Sequence, residues 1–262
     1  MCVDEVEVVR FLMVLYKNGN GYSAINTARC ALSTIMCNAS GVTIGSFASI
    51  KRFVKGVFET RPPRPRYTFI WDANIVLEYL RNFCPIKDMP LSYVTLKLVM
   101  LLALATAQRA QTLHSINVEN IQISGCLVTI PITKPLKQST ARNFKHSLNI
   151  KRYNADKRIC PVKTLEEYLE RTKYIRNCEK QLFVSYLKPH RAVSKSTISR
   201  WLKMVLEEAG VDTKQFKAHS VRSAACANLK RNDVPIDEIL KTAGWSNEKT
   251  FKKFYDKVIM TC

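Results

Sequence analysis

The stretch SYVTLKLVMLLALATAQRAQTLHSINVENIQISGCLVTIPI, Ser92 to Ile132, changes its hydrophobic period partway along, and that change sets the fold class. From Ser92 to Ala107 nearly every position is apolar and only Lys97 is charged, which predicts a helix buried on all sides. Further on, Ile121-Gln122-Ile123 and Leu127-Val128-Thr129-Ile130 alternate around a turn at Ser124-Gly125, as two antiparallel strands do. Ser147-Leu148-Asn149-Ile150 repeats the alternation beyond a polar loop around Pro135 to Asn143. A buried helix feeding a small sheet predicts an α+β fold, mainly α with a small antiparallel β-sheet.

Working outward, Asp72 to Phe83 reads as a helix upstream. Downstream helices are expected over Val162 to Tyr174, over Thr197 to Glu208 with Gly210 as its stop, and from about Ser220 to the end. Near the N-terminus, Val6, Val9, Phe11, Leu12, Leu15 and Tyr16 recur at helical spacing before the breaker Asn18-Gly19-Asn20-Gly21. Ser23 is placed to cap a second helix through about Cys37, and Ser46 a third through about Phe58. Arg61-Pro62-Pro63-Arg64-Pro65-Arg66 then blocks helix and favours an extended, basic connector. The expected organisation is a helical domain over 1–60, a basic Pro-rich linker over 61–67 and a larger domain over 68–262. The first domain begins so abruptly that the chain is expected to start inside it.

Charge narrows the partner. With 41 Lys+Arg against 21 Asp+Glu the net charge is +20, which calls for a polyanion, nucleic acid foremost. The segment Lys134 to Arg158 alone carries eight Lys/Arg against one Asp and is expected to meet phosphates. The apolar run ending at Ala107 is interrupted by Lys97 and too short to span a bilayer, and Asp4, Glu5 and Glu7 stand where a secretory leader would be basic. No membrane partner is expected, and the protein is read as soluble and intracellular. Nine scattered cysteines without a C-x-x-C pair read as free thiols in a reducing compartment.

The chemistry-bearing residues are ambiguous one at a time. In Ala218-His219-Ser220-Val221-Arg222 the i, i+3 spacing puts an imidazole and a guanidinium on one helical face, both able to bond one anion. The bland reading is a capping His and a solvated Arg. Ala243-Gly244-Trp245-Ser246 is a helix stop followed by an indole donor, and Thr250-Phe251-Lys252-Lys253-Phe254-Tyr255 follows it; ordinary packing would explain these aromatics too. Arg109, directly after the apolar helix, is drawn to an interior edge and needs an anion there, which a structural ion pair would also supply. His114, His146 and His190 have no metal-ligand partners at useful spacing, there is no Walker loop, and the carboxylates form no magnesium cluster. These three histidines read as structural or surface groups.

Taken in order, Arg109, a sheet, His219-x-x-Arg222, Gly244-Trp245 and a late Tyr255 resemble the tyrosine recombinase (phage-integrase-like) family over essentially the whole chain. The wording Gln108-Arg109-Ala110-Gln111-Thr112-Leu113 and Ala243-Gly244-Trp245-Ser246 is most similar to recombinases of DIRS-type retrotransposons and Cryptons. The resemblance implies a core-binding domain followed by a catalytic domain, together clamping duplex DNA. It implies that Arg109 and Arg222 hold the scissile phosphate, that His219 bonds it and assists proton transfer, and that Trp245 adds a donor which cannot titrate. Tyr255 is then the nucleophile. Lys134, at a strand end, best matches the lysine that protonates the leaving 5′ oxygen, with Lys137 as the alternative. The implied partners are double-stranded DNA and three further copies of the chain, as a homo-tetramer on paired sites, with no metal or other cofactor. Nuclear residence is expected from the suspected eukaryotic element and the basic charge.

Two departures stand out. Thr112 occupies the position where the family commonly has a carboxylate three residues after the first arginine, and the Trp245–Tyr255 interval is one residue longer than the commonest spacing. Seven residues follow Tyr255, so tetramer assembly is expected to use surfaces other than a long C-terminal segment, or the chain is truncated. Two other activities are compatible with these residues. A type IB topoisomerase would relax supercoils without recombinant products, and a domesticated DNA-binding protein would form no covalent adduct.

Overall fold

The computed structural model of the chain describes residues 4–37, 41–136, 139, 146–245 and 248–260. The backbone divides into two compact units, Met1–Arg66 and Tyr67–Cys262.

Unit one holds helices α1 (Glu5–Lys17), α2 (Tyr22–Ile35) and α3 (Ala48–Thr60) around Val8, Leu12, Ile25, Ile44, Ile50, Val54 and Val57. Asp4 caps α1, its carboxylate accepting from the Val6 N–H. The expected serine caps are not used. Gly21 stands at the N-cap of α2, where the Tyr22 N–H donates to the Arg61 carbonyl, and Phe47 precedes α3 while Ser46 closes a 3₁₀ turn. Tertiary pairing thus overrides the local capping signal. Arg61 is a clasp as well: its Nη1 donates to the Tyr16 and Asn20 carbonyls at 2.6 and 3.2 Å, and its guanidinium covers the Tyr16 ring at 3.9 Å.

Unit two begins with β1 (Phe69–Ile70) and α4 (Ala73–Arg81), the latter capped by Asp72. Next comes α5 (Leu91–Thr106), whose residues Val94 to Ala103 are all buried; it packs against α7 (Pro161–Thr172), α8 (Lys195–Glu208) and α9 (Ser220–Arg231). The short α6 (Ala110–His114) follows it directly. Strands β2 (Gln122–Ser124), β3 (Leu127–Ile132) and β4 (His146–Lys151) form the antiparallel sheet, with Leu127 opposite Lys151 and Ile132 opposite His146. Val128, Ile130, Ile132, Leu148 and Ile150 turn inward, as the alternation requires.

The C-terminal region is helical from Ser220 onward, with the stop at Gly244 that Ala243-Gly244 predicts and a further break after Arg231. It is α9, α10 (Ile236–Ala243), α11 (Glu248–Phe254) and a strand β5 (Val258–Ile259) that pairs in parallel with β1. The breaks have local causes: Asp233 and Gly244 are left-handed, and Pro235 precedes α10. A two-residue strand has no readable period, so β1 and β5 carried no sequence signal.

Candidate active site

Helix α5 ends on Ala107, a fully buried residue in the left-handed region at φ +50°. An L-residue adopts that conformation only when its surroundings enforce it. Here the turn aims the Ala107 carbonyl at Arg222, whose Nη1 donates to it at 2.7 Å, and it delivers Arg109 half-buried at the N-cap of α6. Between them Gln108 is buried and its Nε2 donates to the Thr242 carbonyl of α10 at 2.8 Å. That bond ties the arginine-bearing turn to the helix that precedes Trp245. Thr112, in the place of the expected carboxylate, is buried and donates its N–H to the Arg109 carbonyl at 2.9 Å.

Arg222 lies in the first turn of α9 and is 1% exposed. Burial pushes its guanidinium down to about 10, and the positive charge of Arg109 acts in the same direction. Among the described residues no carboxylate pairs with it; Cys226 and Tyr255, the latter also through a side-chain hydrogen bond, act in the opposite direction. Its Nε and Nη2 are buried without a hydrogen-bond partner. Aromatic rings hold the plane instead: Trp245 lies 4.0 Å and Tyr255 5.6 Å from the guanidinium carbon. Trp245 also packs on Phe251 and Tyr255, with centroids 5.2 and 4.6 Å away, and its Nε1 is buried and unpartnered.

Exposed His219, at the N-cap of α9, has its Nε2 3.2 Å from the Tyr255 hydroxyl. The start of that helix is fastened by a buried bond from Trp71 Nε1 to Ser220 Oγ, 2.8 Å long. Tyr255 closes α11, its N–H donating to the Phe251 carbonyl at 2.8 Å. On its other side Asp256 pairs with Lys230 at 2.7 Å, and the Met260 N–H donates to Ile70 at 2.8 Å. The tyrosine is therefore anchored on both flanks.

Arg109, His219, Arg222, Trp245 and Tyr255 thus converge from four helix ends. Lys134 is exposed just past β3, and its charge reaches His114, whose imidazole is pushed down first by burial and then by Lys134. Among the described residues no hydrogen bond or ion pair joins Lys134 to the five, and Lys137 lies outside the described residues. Sequence reasoning missed Gln108, Trp71, the Asp256–Lys230 pair and the burial of His146 Nε2. Gln108 was legible as a polar residue at the end of an apolar helix; the Trp71–Ser220 bond spans 149 residues and had no local signal.

The unpartnered nitrogens of Arg222 and Trp245, beside a tyrosine hydroxyl, suit the non-bridging oxygens of a phosphate whose phosphorus that hydroxyl attacks. The family model described as "Phage integrase family" matches residues 77–260. No curated protein is similar enough in sequence to match. Among solved structures, the XerH site-specific recombinase bound to difH substrate, a pre-cleavage complex, is 14% identical with a TM-score of 0.62, covering 95% of this chain and 66% of that one. The Tn1549 transposon integrase in complex with transposon right end DNA is 12% identical, with a TM-score of 0.61 and coverages of 97% and 81%. A lambda integrase tetramer bound to a Holliday junction is 16% identical, with a TM-score of 0.53 and coverages of 97% and 65%. These are likenesses of fold, and the chain spans about two thirds of the XerH and lambda integrase chains.

Proposed function

Because the chain belongs to the phage integrase family, we propose that it is a tyrosine recombinase, a DNA strand-exchange enzyme that integrates or excises a mobile element. The observation that carries this reading is Arg222: a buried cation with two unpartnered nitrogens, no balancing carboxylate among the described residues, and the Tyr255 ring beside it. Such a group is stable when an anion fills the space it faces.

The geometry gives each residue a task. Tyr255 Oη attacks the scissile phosphorus while its proton passes toward His219 Nε2, 3.2 Å away in the tautomer whose Nε2 accepts. The bond from phosphorus to the 5′ oxygen breaks, that oxygen takes a proton, and a 3′-phosphotyrosyl ester forms. Lys134 is our candidate for that proton's source. Arg109, Arg222 and the Trp245 indole stabilise charge on the non-bridging oxygens, and they do so more as the charge grows. The ester conserves the bond energy, so a 5′ hydroxyl from a second duplex reverses the step without a nucleotide cofactor.

Duplex DNA is the proposed substrate and a homo-tetramer on paired sites the proposed assembly, a reading supported by the likeness to the lambda integrase tetramer. The wording around Arg109 and Trp245 supports the finer kinship with DIRS-type and Crypton recombinases. Nuclear residence belongs to the same proposal. The test uses duplexes selected by binding from a random library and then nicked at successive positions. Wild type is expected to become covalently linked to one of them and Tyr255→Phe to bind without linkage; linkage by neither protein removes the reading.

A further inference from the structure

Among the described residues, five side-chain nitrogen or oxygen atoms are buried with no hydrogen-bond partner: Gln108 Oε1, His146 Nε2, Arg222 Nε, Arg222 Nη2 and Trp245 Nε1. Buried polar groups are normally paired, so the unpartnered nitrogens in this set mark a missing anion, while Gln108 Oε1, an acceptor, is not part of that signal. Four of these atoms belong to residues already placed around Arg222. The fifth belongs to a residue that sequence alone assigned to structure.

His146 opens β4 opposite Ile132, the last residue of β3, and so sits at the end of the sheet from which the chain runs on to Lys134. Its imidazole is pushed down first by burial and next by the positive charge of Arg222, so the ring lies within electrostatic reach of that guanidinium. A neutral imidazole carries one N–H donor and one acceptor. Next to the Arg222 guanidinium, two of whose nitrogens are unpartnered, a neutral donor adds a hydrogen bond without adding to the cation–cation repulsion.

We propose that His146 is a catalytic residue that donates its Nε2–H to a non-bridging oxygen of the scissile phosphate. The proposal rests on the strand-exchange reading and adds to it a donor from the sheet to those supplied by helix ends. It also gives His146 a task distinct from that of the leaving-group acid, a hydrogen bond to a non-bridging oxygen rather than a proton to the 5′ oxygen.

The experiment measures single-turnover linkage to the nicked duplex for wild type, His146→Ala, His146→Phe and His146→Gln, with gel-shift binding to the same duplex. Loss of one phosphate donor slows such chemistry by about 10²-fold. The Ala and Phe variants should show that loss with binding unchanged, and Gln, whose amide can donate, should recover most of the rate. A second duplex carries sulfur in place of the leaving 5′ oxygen, which removes the need for an acid; the loss should persist on it. Wild-type rates in the Ala and Phe variants overturn the proposal, as does full rescue by the sulfur leaving group. The Phe variant keeps the ring's volume, and thermal melts of all four proteins separate misfolding from lost chemistry. Absence of linkage by wild type itself would instead remove the parent reading.

Discussion

Arg176 and Arg222 are both buried in unit two, at 8% and 1% exposure, yet they are treated differently by their surroundings. Arg176 is answered by the protein: its Nη1 donates to the Gln181 carbonyl at 3.0 Å, and its Nη2 to Thr172 Oγ1 and, at 3.4 Å, to the Leu182 carbonyl. Arg222 has one carbonyl, two aromatic rings and two unpartnered nitrogens. Burial depresses both guanidiniums, but only Arg222 has a second cation, Arg109, adding to the effect. A buried arginine that stabilises a fold is satisfied by that fold; one left incomplete is completed by a ligand.

Substitution should separate the two most sharply at Arg222. Arg222→Ala is expected to slow covalent linkage by about 10³-fold, near 4 kcal/mol of transition-state stabilisation, while a thermal melt shows a folded protein. Arg176→Ala should do the reverse. Its three acceptors lose their donor, so unfolding in urea should show a loss of about 3 to 4 kcal/mol, with linkage per folded molecule unchanged. A large stability loss at Arg222 with intact chemistry would erase the contrast.

Lys97 offers a third buried cation that sharpens it. It is 1% exposed, bonds only the Phe83 carbonyl at 2.7 Å among the described partners, and burial pushes it down to about 8. Unlike arginine it can shed its proton at mildly alkaline pH, and below that the Phe83 carbonyl accepts from its ammonium. Because its folded value lies below the unfolded one, the unfolded chain binds more protons between about pH 8 and 10.4, and stability must rise with pH there. Wild type should therefore gain about 3 kcal/mol relative to Lys97→Met across that window. A difference that stays flat with pH would show that the folded lysine holds its proton as tightly as the unfolded one and is not desolvated.

The smallest expected effect is at the ring beneath Arg222. Trp245→Phe keeps a stacking surface but removes Nε1, and linkage should slow by about tenfold. An unchanged rate would make the indole a packing group.

Much of this was legible beforehand. The all-apolar face of α5 and the alternation of β3 and β4 survive into the structure because burial itself imposes those periods. Arg109, His219, Arg222, Trp245 and Tyr255 were legible only as an ordered set, since each alone reads as packing or a solvated charge. The rest depended on contacts remote in sequence. Gly21 rather than Ser23 begins α2 because Arg61 supplies the partner carbonyl, and the start of α9 is held by Trp71, 149 residues away. His146 carried no signal at all: on a strand whose neighbours alternate normally, nothing local shows that one ring nitrogen is left without a partner.

The most direct test of the account is the chemical identity of the DNA linkage. Wild-type protein trapped on a nicked duplex would be digested and the DNA-bound peptide sequenced by mass spectrometry. The account predicts a single attachment, at Tyr255, to a 3′ phosphate with a free 5′ hydroxyl on the departed strand. Attachment through any other residue, or to a 5′ phosphate, would contradict it.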